Sequence, residues 1–154
     1  KLNLLGQVPV LVEENLILRD SQAILVYLAK RYGGEDWLPG DAAGLARVTQ
    51  WLSTAANDIA RGPADARLHD KLGYPIDIEQ ARTKAHRIIG ILDQHLSSRA
   101  WLELGHPTIA DIACFPYVAL APEGGVSLET YPNAKAWIAR IKTLPGFVPM
   151  PGIA

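Results

Sequence analysis

The first thirty-odd residues constrain the fold more than any other stretch, because strand-like, turn-like and helix-like sequence follow one another closely. Residues 6–12 form a short β-branched run that begins with glycine. The polar segment 13–15 follows, and Asn15 is suited to the left-handed conformation of a tight turn. A second apolar run, 16–18, leads into a helical pattern over 21–32. The order predicts a β-hairpin followed by a helix.

Pro9 and the pair Asp20-Ser21 indicate a binding site near the ends of these elements. A proline inside a strand lacks the N–H that a sheet uses, so it belongs at an edge, at a bulge or in a cis turn. This leaves the main-chain groups of Val8 free for a ligand. Asp20 and Ser21 precede a helix, whose first N–H groups have no partner within it. We therefore expect one site that combines a strand edge, free N–H groups, a hydroxyl and a carboxylate.

The remainder of the chain is predicted to be helical. Residues 35–41 are rich in turn residues and are predicted to link a β-β-α part, 1–34, to an all-helical part, 42–154. Apolar residues recur at steps of three and four over 41–61, which is the spacing of a helix. Pro63 disfavours helical geometry at the residue before it, so we expect a kink or break there, followed by another helical piece.

A capping box predicts the start of a helix in the middle of the second part. Thr108 can accept from the N–H of Asp111, whose carboxylate reaches back to the N–H of Thr108. Both residues are expected to serve folding, and loss of the Asp111 cap is expected to cost about 1–2 kcal/mol. Pro116 should bend this helix. Further helices are predicted over 77–97, capped by Asp77, and over 133–143.

Composition excludes several classes of function. The net charge is −1 and no basic block is present, so we expect no nucleic-acid partner. No apolar run reaches the roughly 18 residues of a membrane span, so no membrane partner is expected. The single cysteine, Cys114, permits no internal disulfide, which suits a reducing compartment. It is predicted to be a core residue, and the histidine spacing predicts no metal site.

The whole set of segments resembles the glutathione S-transferase family, of the bacterial, cytosolic type. The segments that carry the resemblance are residues 6–11, 18–24, 27–28, 107–112, 131–137 and 145–147. They cover nearly the whole chain and occur in the family's order. The resemblance implies a mainly α fold, in which the C-terminal β-β-α part of a thioredoxin-like domain precedes an all-α C-terminal domain. It also implies that a strand-helix-strand unit of about fifty residues precedes Lys1.

The resemblance assigns glutathione to the site near Pro9. In the family, the position of Val8 pairs with the cysteinyl backbone of glutathione, Pro9 is cis, and Asp20-Ser21 hold the γ-glutamyl end. The position of Gln7 is expected to reach the peptide as well. Glutathione is a γ-linked tripeptide with a zwitterionic end, which suits an exposed strand edge beside a helix N-terminus. The alternative is that Asp20 and Ser21 merely cap a helix.

Catalysis and the second substrate are expected to involve other residues. The family's catalytic Tyr, Ser or Cys would lie before Lys1, so no catalytic residue is named and the chain by itself is expected to be inactive. A pocket for a hydrophobic electrophile is expected partly on the helix that begins near residue 41. Its candidates, which a solvated helix face would explain as well, are Trp51, Asn57, Asp58 and Arg61. Asn57 and Asp58 are also candidates for contact with glutathione, in the same subunit or across a dimer.

The resulting prediction is a cytoplasmic, homodimeric glutathione transferase that joins the glutathione thiolate to a small electrophile, without a metal. Two alternatives remain open. A glutathione-dependent disulfide oxidoreductase or peroxidase of the same fold would carry a cysteine in the segment before Lys1. A non-catalytic binding module would keep the Thr108 and Asp111 cap but would have no use for Asp20 and Ser21.

Overall fold

The computed structural model describes residues 2–153, and within that range it contains one two-stranded sheet and six α-helices, some of them continued by π-helical or 3-10 turns. The elements are β1 (Val10–Glu13), β2 (Leu16–Arg19), α1 (Ser21–Leu28), a π-helical turn (Ala29–Gly33), α2 (Ala42–Thr54), a π-helical segment (Ala55–Ala64), α3 (Asp65–Leu72), α4 (Ile78–Leu96), α5 (Ile109–Ala119), a 3-10 turn (Ala121–Gly124) and α6 (Pro132–Lys142). Lys1 and Ala154, the ends of the predicted parts 1–34 and 42–154, lie outside the described residues. The mainly α fold class is confirmed.

The predicted hairpin is present, but two of its details differ from the prediction. Strands β1 and β2 are antiparallel, and Val10 pairs with Arg19. Strand β1 begins only at Val10, so Val8 and Pro9 precede the strand, and the peptide bond between them is cis. The left-handed residue of the turn is Glu14, at φ 49°, rather than Asn15. A two-residue turn that matches strand twist needs a positive φ at its first central position, and that position is Glu14.

Of the two alternatives predicted at Pro63, a kink or a break, the break is absent, because the helical path runs on from α2 to α3, the predicted further helical piece. Between them the chain widens into the π-helical segment 55–64, which contains the buried Pro63. Gly62 packs directly against α4, and a Cβ at this position would lie 2.9 Å from the main-chain nitrogen of Ala85. The close helix packing at Gly62 therefore holds the widened turns in place. The first predicted helix likewise ends in a π-helical turn, at Gly33.

The capping box at the start of α5 is confirmed and extends into a buried network. Thr108 Oγ1 accepts from the N–H of Ala110 at 3.2 Å, and Asp111 Oδ2 accepts from the N–H of Thr108 at 3.0 Å. Asp111 Oδ1 also accepts from the N–H of Leu102 at 3.0 Å and from Nε1–H of Trp137 at 2.9 Å. Burial raises the pKa of the Asp111 carboxyl, and these donors oppose the rise. The carboxylate thus joins α5 to α6 as well as capping α5.

One continuous core joins the helices to the β-β-α part. Helices α2, α4, α5 and α6 contribute most of the buried side chains. Ala29, which follows α1, and Leu38, in the predicted linker, belong to the same cluster. The packing of α1 against α5 therefore fixes the hairpin relative to the helices. The boundaries of the linker, 35–41, stay a prediction. No helix within residues 2–153 is long and apolar enough to cross a membrane.

Candidate functional site

A cleft at the start of α1 brings together all four residues that were predicted to bind glutathione. Its volume is about 280 Å³, and the loop before β1 and the junction of β2 with α1 form its walls. The register explains the juxtaposition, because Val10 pairs with Arg19, and continuing that register beyond the strands sets Pro9 opposite Asp20. The predicted residues that line it are Gln7, Val8, Asp20 and Ser21, with Pro9 beside them.

The main chain of Val8 is available for a ligand. Its side chain is 91% exposed, and it lies outside the hydrogen-bonded ladder of β1 and β2. Across the described chain, no hydrogen bond uses the N–H or C=O of Val8. An extended peptide can therefore form main-chain hydrogen bonds at this position without displacing any within the protein.

Asp20 caps α1 and still keeps one carboxylate oxygen free. Its backbone is left-handed, at φ 76°, and its Oδ1 accepts from the N–H of Gln22 at 2.9 Å and of Ala23 at 3.1 Å. No group of residues 2–153 bonds to Oδ2, which faces solvent with the rest of the exposed side chain. The first turn of α1 thus leaves the N–H and hydroxyl of Ser21 for an anion, and Asp20 Oδ2 for a cation.

Two further residues of this cleft, Asn3 and Arg19, were missed by the sequence analysis. Asn3 is buried, its Oδ1 accepts from the N–H of Leu5 at 2.9 Å, and its Nδ2 donates to the carbonyl of Gln7 at 2.7 Å. These bonds hold the loop that carries Gln7 and Val8. Arg19 ends β2 beside Asp20 and has no ion-pair partner in the described part of the chain. An asparagine that binds the amide two residues ahead is a recognisable turn signal.

The candidates on α2 and the π-helical segment do not form one pocket. Trp51 was expected to line an open pocket, but it is only 7% exposed and faces the core. Its Nε1–H donates to Glu103 Oε1 at 3.1 Å, and its ring meets the edge of His95 at a centroid distance of 4.9 Å. The interpretation of Trp51 as a pocket residue is therefore corrected, because the loop that carries Glu103 covers it.

The other three candidates, Asn57, Asp58 and Arg61, all lie in the π-helical segment. Asn57 is exposed, whereas Asp58 Oδ1 lies 3.6 Å from Nη1 of Arg87 and Arg61 Nη1 lies 3.6 Å from Oδ2 of Asp65. Of these three residues, Asn57 is therefore the one that a ligand can bind without breaking an ion pair. π-Helical turns are frequent at functional sites, which keeps the segment a candidate.

Apolar space lies instead beside α1 and α5. One cavity of about 270 Å³ is lined mainly by α1, the π-helical turn after it and the first turn of α5, and Trp37 also lines it. A second cavity of about 410 Å³ shares Trp37 and Ile112 with the first and continues towards Phe147. An apolar molecule would find more buried contact here than on the exposed face of α2. The signal for this apolar space in the sequence is weak, since Trp37 lies in the predicted linker.

The single thiol lies in the core of the protein. Cys114 is fully buried on α5, and burial raises the pKa of its thiol far above the usual range. Its Sγ lies 3.7 Å from the carbonyl oxygen of Trp51. The expectation of a core cysteine is confirmed. Among residues 2–153, no group of three or more His, Cys, Asp or Glu side chains is placed to hold a metal ion.

The hairpin-helix unit with its cis proline, followed by packed helices, defines a thioredoxin-like part joined to a helical domain. The family model of the glutathione S-transferase N-terminal domain matches residues 1–36, and that of the C-terminal domain matches residues 75–145. A glutathione S-transferase-like protein, tpcF of Aspergillus fumigatus, is 30% identical over 92% of this chain and 72% of its own length. The chain belongs to the glutathione S-transferase family.

Two other proteins show how far the likeness extends. The disulfide-bond oxidoreductase YfcG of Escherichia coli is 31% identical over 86% of this chain and 62% of its own length. A glutathione transferase structure from Burkholderia graminis, with two glutathione molecules bound per subunit, is 28% identical with a TM-score of 0.79. The match covers 94% of this chain and 66% of that structure. This chain thus spans between about three fifths and three quarters of these relatives.

Proposed function

We propose that this chain forms the glutathione-binding side of a glutathione S-transferase, which joins the glutathione thiolate to a small hydrophobic electrophile. The observation that carries the proposal is the cleft that gathers Gln7, Val8, Asp20 and Ser21. Family membership supports it, as does the related structure that holds glutathione. A helix cap alone would not need the exposed, unpaired main chain of Val8 beside it.

The chemistry of glutathione matches the cleft group by group. Its cysteinyl main chain can pair with the N–H and C=O of Val8, as an added strand does. The α-carboxylate of its γ-glutamyl end can bind the N–H and hydroxyl of Ser21, and the ammonium group can pair with Asp20 Oδ2. Glutathione carries two carboxylates and one ammonium, so Arg19 beside the cleft attracts it. Gln7, which precedes Val8, adds a neutral polar side chain to the same cleft and is proposed to contact the peptide.

The transfer step requires a group that favours the thiolate of glutathione. Each unit by which the thiol pKa falls corresponds to about 1.4 kcal/mol. The family resemblance assigns this role to a Tyr, Ser or Cys, and no residue of this chain is proposed for it. Asn57 and Asp58 are proposed to contact glutathione in the same subunit or across a homodimer. The homodimer and a cytoplasmic location are part of the proposal and rest on the resemblance.

Retention on immobilised glutathione tests the site without requiring turnover. Asp20→Asn keeps an acceptor for the cap and tolerates a left-handed backbone, but removes the charge. Combined with Ser21→Ala, it should abolish retention while the melting temperature stays near that of the parent. Asp77→Asn is the matched control, because Asp77 also caps its helix, α4, through one carboxylate oxygen and lies outside the cleft. A folded double variant that is still fully retained would refute the assignment.

A second candidate function, glutathione-dependent disulfide reduction, is favoured by the similarity to the oxidoreductase YfcG. The thiol of Cys114 cannot perform it, because the side chain is buried and its pKa is raised. Two assays separate the candidates in a form of the protein that carries a catalytic group, one following conjugation of glutathione to a chlorinated nitrobenzene and the other following glutathione oxidation with a small disulfide. Conjugation without disulfide reduction supports the transferase, and the reverse result supports the oxidoreductase.

A further inference from the structure

A second, polar cleft lies between α2 and the loop that follows α4, and it shares no lining residue with the glutathione cleft. Its volume is about 540 Å³. Arg47 and Gln50 reach it from one face of α2, three residues apart, and Ser98 and Arg99 reach it from the loop. Trp101 and Glu103 complete the loop side of the wall. Basic and hydrogen-bonding side chains thus converge on a concave surface.

The arginines at this cleft differ from most others in the chain because no carboxylate neutralises them. The sequence contains nine arginines, of which five form ion pairs within 4.0 Å. In the part of the chain that the structure describes, the four without an ion pair are Arg19, Arg47, Arg99 and Arg140. Arg19 lines the glutathione cleft, Arg47 and Arg99 line the second cleft, and Arg140 bonds to the loop of the second cleft. Unpaired arginines therefore concentrate at the two concave polar surfaces.

Main-chain carbonyl groups of α4 and of the loop hold two of these cations, Arg99 and Arg140, in place. Arg99 Nη1 donates to the carbonyl of His95 at 3.2 Å, which uses one of its five N–H groups and leaves the others for a ligand. Arg140 Nη1 donates to the carbonyl of Ala100 at 2.5 Å, and its guanidinium lies 5.6 Å from the centre of the Trp101 ring. These contacts place a third positive charge behind the same loop.

Glu103 is the carboxylate of this cleft, and it serves mainly to attach the loop to α2. Its Oε1 accepts from Nε1–H of Trp51 at 3.1 Å and from Nε2–H of Gln50 at 3.4 Å, and Nε2 of His95 lies 3.9 Å away. The side chain is only 14% exposed. The two lining arginines outweigh this one carboxylate, so the cleft carries a net positive charge.

We propose that this cleft binds the oxyanion of a small phosphate-bearing molecule. Arginine presents a planar set of donors that matches a phosphate, and such charge-assisted hydrogen bonds are about twice as strong as neutral ones. Ser98 and Gln50 add neutral donors for the remaining oxygens. Free phosphate and a phosphate monoester share this chemistry, and the test separates them.

Titration with inorganic phosphate and, separately, with glycerol 3-phosphate tests the proposal. Calorimetry measures binding, and tryptophan emission is a second readout because Trp101 lines the cleft. Ionic strength is held constant with sodium chloride, so that general screening does not imitate a specific effect. The variant is Arg47→Gln with Arg99→Gln, and the control is Arg87→Gln, which removes an exposed arginine outside the cleft.

The expected result is saturable binding that the double variant weakens by about tenfold or more and the control leaves unchanged. Tighter binding of glycerol 3-phosphate than of phosphate would assign the ester as the ligand. Absence of saturable binding by either probe, or equal weakening in the control, would overturn the proposal. The double variant remains on immobilised glutathione if that proposal is right, because the two clefts share no lining residue, so the two proposals fail independently.

Discussion

Replacement of Asp111 by alanine is the perturbation for which the structure predicts the largest loss of stability. The sequence alone indicated a helix cap, with an expected loss of about 1–2 kcal/mol. The structure shows instead a fully buried carboxylate that accepts four hydrogen bonds. Two of the donors belong to the cap at Thr108, and the other two are the N–H of Leu102 and Nε1–H of Trp137. Alanine removes the acceptor for all of them.

The magnitude follows from the three buried N–H groups that would lose their acceptor. A buried donor without a partner costs about 1–3 kcal/mol, which gives a gross loss of about 3–9 kcal/mol. Part of this is returned, because the alanine variant no longer buries a carboxylate whose charge is disfavoured there. Breaking a buried charged network by removing one partner typically costs about 3–5 kcal/mol, and we expect the variant to fall in that range.

Urea unfolding followed by circular dichroism measures the loss. With a slope of about 2 kcal/mol per molar urea, the midpoint should fall by about 2 M. Asp77→Ala is the control, because it removes one exposed cap bond, to the N–H of Gln80, and should cost about 1 kcal/mol. Trp137→Phe removes one donor instead of the acceptor and should cost less than Asp111→Ala. A loss at Asp111 no greater than the loss at Asp77 would refute the network argument.

Three further predictions test other contacts. Asp93→Ala should lower the free energy of unfolding by about 1–2 kcal/mol, because Asp93 Oδ1 accepts from the first two free N–H groups of α6, at 2.7 and 2.9 Å; an unchanged urea midpoint would contradict this. Cys114 should react with a thiol reagent only as fast as the chain unfolds, since the thiol is buried and its pKa is raised, and rapid labelling in native buffer would disprove it. Lys71 and Arg67 lower the pKa of Glu123 in the folded protein. The contribution of Glu123 to the free energy of unfolding is therefore present above the unfolded pKa of about 4.3 and is lost as the pH falls through the lower folded pKa. Glu123→Gln should remove this pH dependence, which urea unfolding curves recorded across that pH range would show.

Three helix starts, those of α1, α4 and α5, could be predicted from sequence because each depends on neighbouring residues. Asp20, Asp77 and Thr108 cap helices through bonds to N–H groups two or three residues ahead, and no distant packing is needed. The interior of α2 was harder to predict. Leu45 satisfies the helical spacing but is 40% exposed, whereas Trp51 is buried under the loop that carries Glu103. Which face of a helix is covered depends on residues far away in the chain.

The continuous helical path through Pro63 also depends on contacts with a distant part of the chain. A proline in a helix removes one hydrogen bond and usually breaks or kinks the helix. Here the neighbouring Gly62 allows the segment to approach Ala85 of α4 so closely that a Cβ would not fit. The packing energy of that contact keeps the chain helical in a widened form. A prediction made from local propensity cannot include a contact with a residue on another helix.

The two candidate clefts differ in predictability for a related reason. The glutathione cleft follows from hairpin register, because a two-residue turn at Glu14 sets Val10 against Arg19 and so carries Pro9 to the start of α1. Its residues could therefore be predicted from spacing and resemblance together. The arginine cleft follows from tertiary packing, in which the bond from Trp51 to Glu103 attaches the loop after α4 to α2. Nothing in the local sequence around Arg47 indicates that Arg99 lies opposite, so a site of this kind is recognised only by finding which charges the fold leaves unpaired.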